Sequence, residues 1–255
     1  MRNEVDATQR FSTRVKNYIK YRPGYPAEIL DTLTEECGLN RDTVIADVGS
    51  GTGILSELLL RKSSRVFGVE PNQDMREAAE RVLSGYVNFV SIKGRAEATT
   101  LADQSVDIIT AAQAFHWFDR PKTLVEFSRI LKPLGWVVLL WNERLTTTPF
   151  LQEYERLLKK FSQDYDKVDH RLIGTEALAE FFGSADFSVK TYPNQQTFDG
   201  EGLKGRLLSS SYTPEAADPR YLPMLDELGR IFKEHQLDGL VVFEYQTTLY
   251  YGRLR

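Results

Sequence analysis

Apolar residues follow two patterns along the chain: short runs rich in valine and isoleucine, and longer stretches where apolar positions recur every three or four residues. The runs predict strands and the stretches predict helices, because side chains alternate between faces along a strand and recur once per turn of a helix. Strands that alternate with helices predict a parallel sheet covered on both faces. The predicted strands are Thr43–Val48, Arg65–Glu70, Val87–Ile92, Val106–Thr110 and Trp136–Trp141, and the predicted helices are Ile54–Arg61, Asp74–Leu83 and Lys122–Leu131.

After Pro149 this regular alternation ends. An excursion over residues 199–240 separates the last two predicted strands and has periodic apolar positions of its own. It is too structured for a loop and too small for a domain, so we predict a lid or substrate cap there. A second cap insertion is predicted over residues 150–184. This part of the chain predicts helices over Phe150–Phe161, Thr175–Phe182 and Arg220–His235, and strands over Phe187–Phe198 and Val241–Tyr251.

The first 26 residues predict an arm that lies on the body of the protein. The apolar residues of Val5–Tyr21 have only weakly helical spacing, and Tyr21–Pro26 contains two prolines and a glycine that interrupt any helix. An apolar stripe over residues 29–33 then predicts a helix that ends at Gly38.

The composition is that of an ordinary globular protein. Of 255 residues, 42% are hydrophobic and 27% are charged, and no linker or repeat interrupts them, so we predict a single domain over residues 1–255. The net charge of −4 gives no overall attraction to nucleic acid, which is therefore an unlikely partner. One cysteine, no apolar core in residues 1–20 and no long apolar run predict a cytoplasmic protein without a signal peptide or membrane span.

A glycine loop, Gly49–Gly53, follows the first predicted strand and leads directly into a helix. Such a loop lets the backbone pass close to a bound ligand. The dinucleotide fingerprint fails, because Ile54 or Ser56 stands where its third glycine would be. Glu70 ends the next predicted strand, 21 residues after the first glycine, where a carboxylate can accept hydrogen bonds from both hydroxyls of a ribose.

Together these features resemble the class I S-adenosylmethionine-dependent methyltransferases. The resemblance covers about residues 40–142, the predicted cofactor-binding core, and the order of the segments is more specific than any single one. It implies an α/β, Rossmann-like fold: a doubly wound, mostly parallel sheet of seven strands with an antiparallel last strand and a helical cap. The matching segments are Asp47–Gly53, Val69–Pro71, Gly94–Glu97, Ser105–Asp107 and Leu131–Gly135.

The same resemblance implies S-adenosylmethionine as the cofactor. The glycine loop would pass under its methionine part, Glu70 would bind the ribose, and Ala96 with Glu97 would contact the adenine. Asp47 would hold the ammonium group. Arg22 either reaches the cofactor carboxylate or is an ordinary surface arginine in a turn, and the stiffness of the arm favours the first role. The predicted cofactor-binding residues are Tyr18, Arg22, Asp47, Gly49, Ser50, Gly51, Gly53, Glu70, Pro71, Met75, Ala96, Glu97 and Gln113.

Further segments resemble a small-molecule branch of the superfamily that includes fungal trans-aconitate methyltransferase-like proteins. This narrower resemblance favours a small acidic metabolite as the methyl acceptor and leaves its identity open, because we match no substrate contacts in the cap. The segments are Phe11, Tyr18, Tyr21–Pro23, Tyr25–Pro26, Gln113–Phe118 and Trp141–Asn142.

Two side chains are predicted to act on the acceptor, each with an alternative. His116 follows the fourth predicted strand and is either a base or a residue that shapes the loop. Arg144 either holds a carboxylate in a fork of two hydrogen bonds or pairs with Glu143 or Asp119 at the surface. A carboxylate acceptor needs no base, whereas a hydroxyl or amine must lose a proton, for which His116 is the predicted acceptor.

Three other functions compete with small-molecule methylation. A methyltransferase acting on the amino groups of bases typically has an Asp/Asn-Pro-Pro-aromatic turn where this chain has Ala112–Phe115. A nicotinamide-dependent oxidoreductase is disfavoured by the failed fingerprint. A non-catalytic cofactor-binding or interaction protein stays open, because binding and chemistry use separable residues. No metal site is predicted, since no His, Asp and Glu cluster has ligand spacing.

Overall fold

The computed structural model describes residues 14–162, 165, 174–183 and 186–254. Its strands are β1 (Val44–Val48), β2 (Arg65–Val69), β3 (Phe89–Ile92), β4 (Val106–Ala112), β5 (Leu131–Arg144), β6 (Ser188–Phe198) and β7 (Val241–Gly252). They form one sheet in the order β3-β2-β1-β4-β5-β7-β6. Strands β1 to β5 pair in parallel, and β7 is antiparallel to both β5 and β6. The predicted α/β sheet with its antiparallel last strand is confirmed.

Helices cover both faces of this sheet, as its continuous apolar strands require. The helices are α1 (Val15–Tyr21), α2 (Glu28–Cys37), α3 (Ile54–Leu59), α4 (Gln73–Val82), α5 (Arg120–Ile130), α6 (Pro149–Phe161), α7 (Thr175–Phe182), α8 (Gly200–Leu208) and α9 (Tyr221–His235). Ile29 of α2 and Leu59 of α3 are fully buried in the core on one face. Phe127 of α5 and Phe181 of α7 are buried in the core on the other face.

The position of α7 divides the segment 150–184 that we predicted as a cap. The ring of Phe181 lies 4.7 Å from that of Phe115 and 6.1 Å from that of Phe127. This helix therefore belongs to the layer that covers the sheet. Helix α6, at the start of the segment, and Tyr165 instead pack with the excursion over 199–240.

Strand β5 is longer than its apolar run predicts. It continues beyond Trp141 because its polar end still pairs with β7, where Arg144 stands opposite Tyr245. Backbone pairing, which hydrophobic periodicity does not report, extends the strand. This extension brings Arg144 beside Tyr245 on the neighbouring strand.

The described part of the predicted arm lies on the body of the protein. Its residues 1–13, including Phe11, fall outside the described residues. The carbonyl oxygen of Gly24 accepts hydrogen bonds from the side-chain amides of Asn142, at 3.1 Å, and Asn194, at 2.9 Å. The side-chain amide of Gln196 donates to the carbonyl of Tyr21 at 3.3 Å. The ends of β5 and β6 thus fix the arm after α1.

The excursion over 199–240 folds into α8 and α9, which share an apolar cluster with α6 and β7. Helix α8 also packs tightly against the arm, because a Cβ atom on Gly205 would lie 2.0 Å from the ring of Tyr21. The guanidinium of Arg14 donates to the carbonyl and hydroxyl oxygens of Thr213, both at 2.7 Å. The arm and the excursion are therefore joined by packing and by hydrogen bonds.

None of the described helices combines the length and the apolar character needed to span a membrane.

Candidate active site

The glycine loop is shaped by positive φ angles of 70° at Gly49, 56° at Gly51 and 86° at Gly53. A Cβ atom on Gly49 would lie 2.5 Å from the Cβ of Ala114, so only glycine fits there. At Gly51 a Cβ atom would meet nothing within 4 Å. The loop is thus packed against the protein at Gly49 and faces open space at Gly51.

Glu70 holds this loop from the end of β2. Its Oε2 accepts a hydrogen bond from the backbone N–H of Gly51 at 3.0 Å, and its Oε1 accepts one from Asn72 at 2.9 Å. Burial raises the pKa of the Glu70 carboxyl, and the two N–H donors oppose that rise. Each carboxylate oxygen has a second lone pair, so Glu70 can still accept hydrogen bonds from a ligand.

A cavity of about 210 Å³, which we call the loop cavity, lies over the glycine loop. It contains nine of the thirteen predicted cofactor-binding residues: Tyr18, Gly49, Gly51, Glu70, Pro71, Met75, Ala96, Glu97 and Gln113. Six residues outside that predicted set also line it: Asn72, Arg95, Ala112, Ala114, Trp117 and Phe118. Because every stretch that lines the cavity follows a strand or lies on the arm, the carboxyl edge of the sheet forms this site.

Asp47, Ser50 and Gly53 line neither this cavity nor the second one described below. The two oxygens of Asp47 accept hydrogen bonds from the hydroxyls of Ser56, at 2.6 Å, and Thr110, at 2.9 Å. Burial raises the pKa of Asp47 to about 6. Asp47 therefore anchors the start of the loop to α3 and β4, and its contact with the ammonium group stays a prediction.

Gln113 has an unusual backbone at the end of β4. Its φ is 55°, a left-handed conformation that is rare for residues other than glycine. Its side-chain amide donates to the carbonyl of Asn142 at 3.1 Å, which ties the end of β4 to the end of β5. Strained residues of this kind concentrate at functional sites, and Gln113 lies between the two cavities.

The second cavity, of about 160 Å³, adjoins the first through the shared residues Tyr18, Gln113 and Trp117. We call it the arginine cavity, because Arg22, Arg144 and Arg206 line it and Glu143 is the acidic residue among its described lining. The other lining residues are Pro23, Tyr25, Ile54, His116, Asn142, Tyr165, Ser211, Tyr212 and Tyr245.

Arg144 does line this cavity, but its partner differs from both predicted acids. Its Nη2 donates to the carboxylate of Glu155 on α6 and, at 3.1 Å, to the hydroxyl of Tyr165. Its guanidinium lies over the ring of Tyr154 at 4.9 Å. The side chains of Arg144 and Glu155 are each only 11% exposed, so their ion pair is mostly buried.

Arg22 and Arg206 approach the cavity from the arm and from α8. Nη2 of Arg22 donates to the carbonyl of Ser209 at 3.0 Å, and Nε of Arg206 donates to the hydroxyl of Tyr245 at 3.1 Å. Burial lowers the pKa of Arg22, and the nearby charge of Arg206 lowers it further. Within the described chain, neither guanidinium forms an ion pair with a carboxylate. The cavity therefore carries positive charge that the protein leaves partly uncompensated.

His116 lies in the short 3₁₀ helix Phe115–Trp117 after β4 and lines the arginine cavity. Its ring centroid is 4.8 Å from that of Trp117. This position fits a base as well as it fits a packing role, so both predicted alternatives remain.

One group of acidic and imidazole side chains in the described chain is close enough to share a metal: Glu153, Glu234 and His235. Arg230 pairs with both glutamates, at 2.7 Å and 2.5 Å. The group lines neither cavity and has no part in the site.

Comparison with known proteins agrees with this geometry. A family model described as a methyltransferase domain matches residues 46–139. An uncharacterised methyltransferase-like protein of Schizosaccharomyces pombe is 27% identical over 254 residues, which cover 97% of this chain and 96% of that protein. An uncharacterised methyltransferase of Mycobacterium tuberculosis is 31% identical over 167 residues, 66% of this chain and 65% of that protein.

Solved structures show the same fold. A protein of Anaeromyxobacter dehalogenans matches with a TM-score of 0.62 at 17% identity, over 91% of this chain and 98% of that one. A SAM-dependent methyltransferase from Aquifex aeolicus matches with a TM-score of 0.53 at 15% identity, over 94% and 97% of the two chains. The chain is thus similar to methyltransferases over most of its length, and its fold is that of the class I S-adenosylmethionine-dependent methyltransferases.

Proposed function

We propose that the protein binds S-adenosylmethionine in the loop cavity and transfers its methyl group to a small carboxylic acid in the arginine cavity. The observation that carries this proposal is the juxtaposition of the two cavities, which share Tyr18, Gln113 and Trp117. A methyl donor on one side of this wall and an acceptor on the other would meet at the end of β4.

The loop cavity fits the cofactor in two ways. The open space at Gly51 leaves room for a ligand against the backbone, and the buried Glu70 keeps lone pairs for the hydroxyls of a ribose. Ala96 and Glu97 line the part of this cavity expected to hold the adenine. When bound, the cofactor supplies a methyl group on a positively charged sulfur.

The arginine cavity favours an acidic acceptor over a neutral one. Three guanidinium groups line it against one lining carboxylate, Glu143, with Glu155 behind Arg144. Arginine holds a carboxylate in its ionised form, and such an acceptor already carries the electron pair that forms the new bond. No proton has to be removed, so His116 acts in orientation and packing.

Both cavities should be shielded from water by the arm and the cap, because excluded water favours a reaction in which opposite charges cancel. Hydrogen exchange should slow over residues 14–25 and 199–240 when S-adenosylhomocysteine, the demethylated cofactor, is added. Equal exchange with and without it would show that these segments are only structural.

The experiment that tests the function uses methyl-labelled S-adenosylmethionine and a small-metabolite extract, with identification of the labelled product by mass spectrometry. We expect a labelled methyl ester. A labelled ether or methylamine would identify a hydroxyl or amine acceptor, and cofactor binding without any labelled product would favour a non-catalytic protein.

A further inference from the structure

The cap contributes a cation that the sequence analysis did not single out. Arg206 lies on α8, is 6% exposed and lines the arginine cavity. A buried charge is costly unless an opposite charge compensates it. Arg144 meets this requirement through Glu155, whereas Arg206 has no carboxylate within ion-pair distance in the described chain.

The partners of Arg206 are neutral. Its Nε donates to the hydroxyl of Tyr245 at 3.1 Å, and its Nη1 lies 3.3 Å from Oγ of Ser210 and 3.5 Å from Oγ of Ser209. The rings of Phe243 and Tyr245 lie about 6 Å from the guanidinium carbon. These groups hold the side chain without neutralising it, and none of its hydrogen bonds within the described chain uses Nη2.

A chain of hydrogen bonds fixes the direction of this guanidinium. Tyr245 accepts from Arg206 and donates to Oε1 of Gln196 at 3.0 Å. The amide of Gln196 in turn donates to the carbonyl of Tyr21 in the arm. Arg206 is thus held by β7, β6 and the arm, and its Nη2 remains available to the cavity.

We propose that Arg206 determines acceptor specificity by binding an anionic carboxylate of the acceptor in the arginine cavity. This inference rests on the proposed function and adds a residue and a role to it. Arg22 lines the same cavity and is close enough to feel the charge of Arg206, so an anion bound by both guanidinium groups would relieve their mutual repulsion. Arg144, whose Nη2 is occupied by Glu155, supports the cavity wall.

The test compares Arg206→Met, which removes the charge at similar length, and Arg206→Lys, which keeps the charge but loses the fork. The matched control is Arg220→Gln, an arginine beyond α8 whose side chain is 38% exposed and pairs with Asp218. Calorimetry first measures the affinity of each variant for S-adenosylhomocysteine, which tests whether the loop cavity is intact. The shift in melting temperature then measures binding of malonate, succinate and glutarate, and the diamide of each acid is the uncharged comparison. These measurements use constant ionic strength and contain S-adenosylhomocysteine.

We expect at least one of the acids, and none of the diamides, to raise the melting temperature of the wild-type protein in a saturable way. Arg206→Met should weaken that binding at least tenfold, Arg206→Lys should weaken it less, and Arg220→Gln should leave it unchanged. Affinity for S-adenosylhomocysteine should stay within twofold in all variants, because Arg206 does not line the loop cavity.

Acid binding by Arg206→Met at wild-type strength would overturn the role of Arg206 while leaving the proposed function intact. A wild-type protein that binds S-adenosylhomocysteine but none of the acids in preference to its diamide would overturn that role together with the carboxylate acceptor, and methyl transfer to another acceptor would stand. A wild-type protein that does not bind S-adenosylhomocysteine would instead overturn the proposed function. If Arg206→Met does not fold, the comparison of Arg206→Lys with the wild type decides, since equal acid binding there contradicts recognition by the fork.

Discussion

The two adjoining cavities are built in opposite ways. Apart from Tyr18, the loop cavity is lined by short stretches between residues 49 and 118, each at the carboxyl end of a strand and held by backbone hydrogen bonds. The arginine cavity draws its residues from the arm, the start of α3, the segment after β4, the end of β5, Tyr165, the excursion over 199–240 and β7, over the range from residue 18 to residue 245. The first depends on local backbone geometry, and the second depends on side chains that meet through tertiary packing.

The two cavities therefore have different structural requirements. Glycines with positive φ and one carboxylate at a strand end are enough to shape the loop cavity. The arginine cavity needs every one of its packed elements in place, because its charges are held by partners on other elements, such as Glu155 on α6 for Arg144. Mutations should therefore affect the two regions differently.

The largest effect is expected for Arg144→Met. The variant removes the buried counter-ion of Glu155, and breaking a buried ion pair in this way costs about 3–5 kcal/mol of the free energy of unfolding. The lower end applies here, because Lys159 also lies 3.4 Å from this carboxylate. Urea denaturation of the variant measures the loss.

Two control variants for this prediction change residues of α6, the helix that carries Glu155. The double variant Arg144→Met/Glu155→Gln should recover much of the stability, because no buried charge is then left alone. Arg156→Met removes a pair whose arginine side chain is 66% exposed and should cost about 0–1 kcal/mol. A loss in Arg144→Met no greater than in Arg156→Met would contradict the dependence of this cavity on its ion pair.

The same contrast explains what the sequence could predict. Glu70 and the glycine loop were predicted because strand ends of a parallel sheet meet at one edge, so their spacing in sequence fixes their placement in space. Arg206 and Tyr245 carry no such local signal, and only the packing of α8 against β7 and the arm brings them to the cavity. The sequence also did not predict that Ser56 and Thr110 donate to Asp47, because those contacts join separate elements.

The second-largest effect is a change in pH dependence in Asp47→Asn. Burial raises the pKa of Asp47 in the folded protein to about 6, so the folded state binds this proton more tightly than the unfolded state does. The contribution of Asp47 to stability is therefore fully present below about pH 4 and is lost as pH rises through about 6. Each pKa unit corresponds to ~1.4 kcal/mol, so the loss is at most about 3 kcal/mol.

Denaturation of the cofactor-free protein at several pH values measures this effect as the difference in unfolding free energy between the wild type and Asp47→Asn. The difference should fall from pH 4 to pH 6 and become flat above pH 7. A difference that does not change with pH would mean that Asp47 has an ordinary pKa and is not buried as an anchor of the loop.

The third effect concerns affinity in the loop cavity. Glu70→Ala removes the carboxylate that holds the Gly51 N–H and that is expected to accept from the ribose. Affinity for S-adenosylmethionine should fall by about 1.5–3 kcal/mol, the scale of a charge-assisted hydrogen bond, as measured by calorimetry. Glu80→Ala, on the exposed side of α4, is the control and should bind normally. Unchanged affinity in Glu70→Ala would refute the ribose contact.

The smallest effect is expected for His116→Ala, and it decides between the two kinds of acceptor. With a carboxylate acceptor no proton moves, so the variant should lose less than about tenfold in rate, mainly through poorer placement of the acceptor. The rate of the wild-type protein should also show no step near pH 6.5, the ordinary pKa of histidine. A hydroxyl or amine acceptor would instead make His116 the base, and its removal would cost about 10²–10⁴ in rate.

His235→Ala, on α9 and outside both cavities, is the matched histidine control. A loss of turnover in His116→Ala alone, with normal cofactor affinity, would replace the carboxylate assignment with a hydroxyl or amine acceptor whose proton His116 removes.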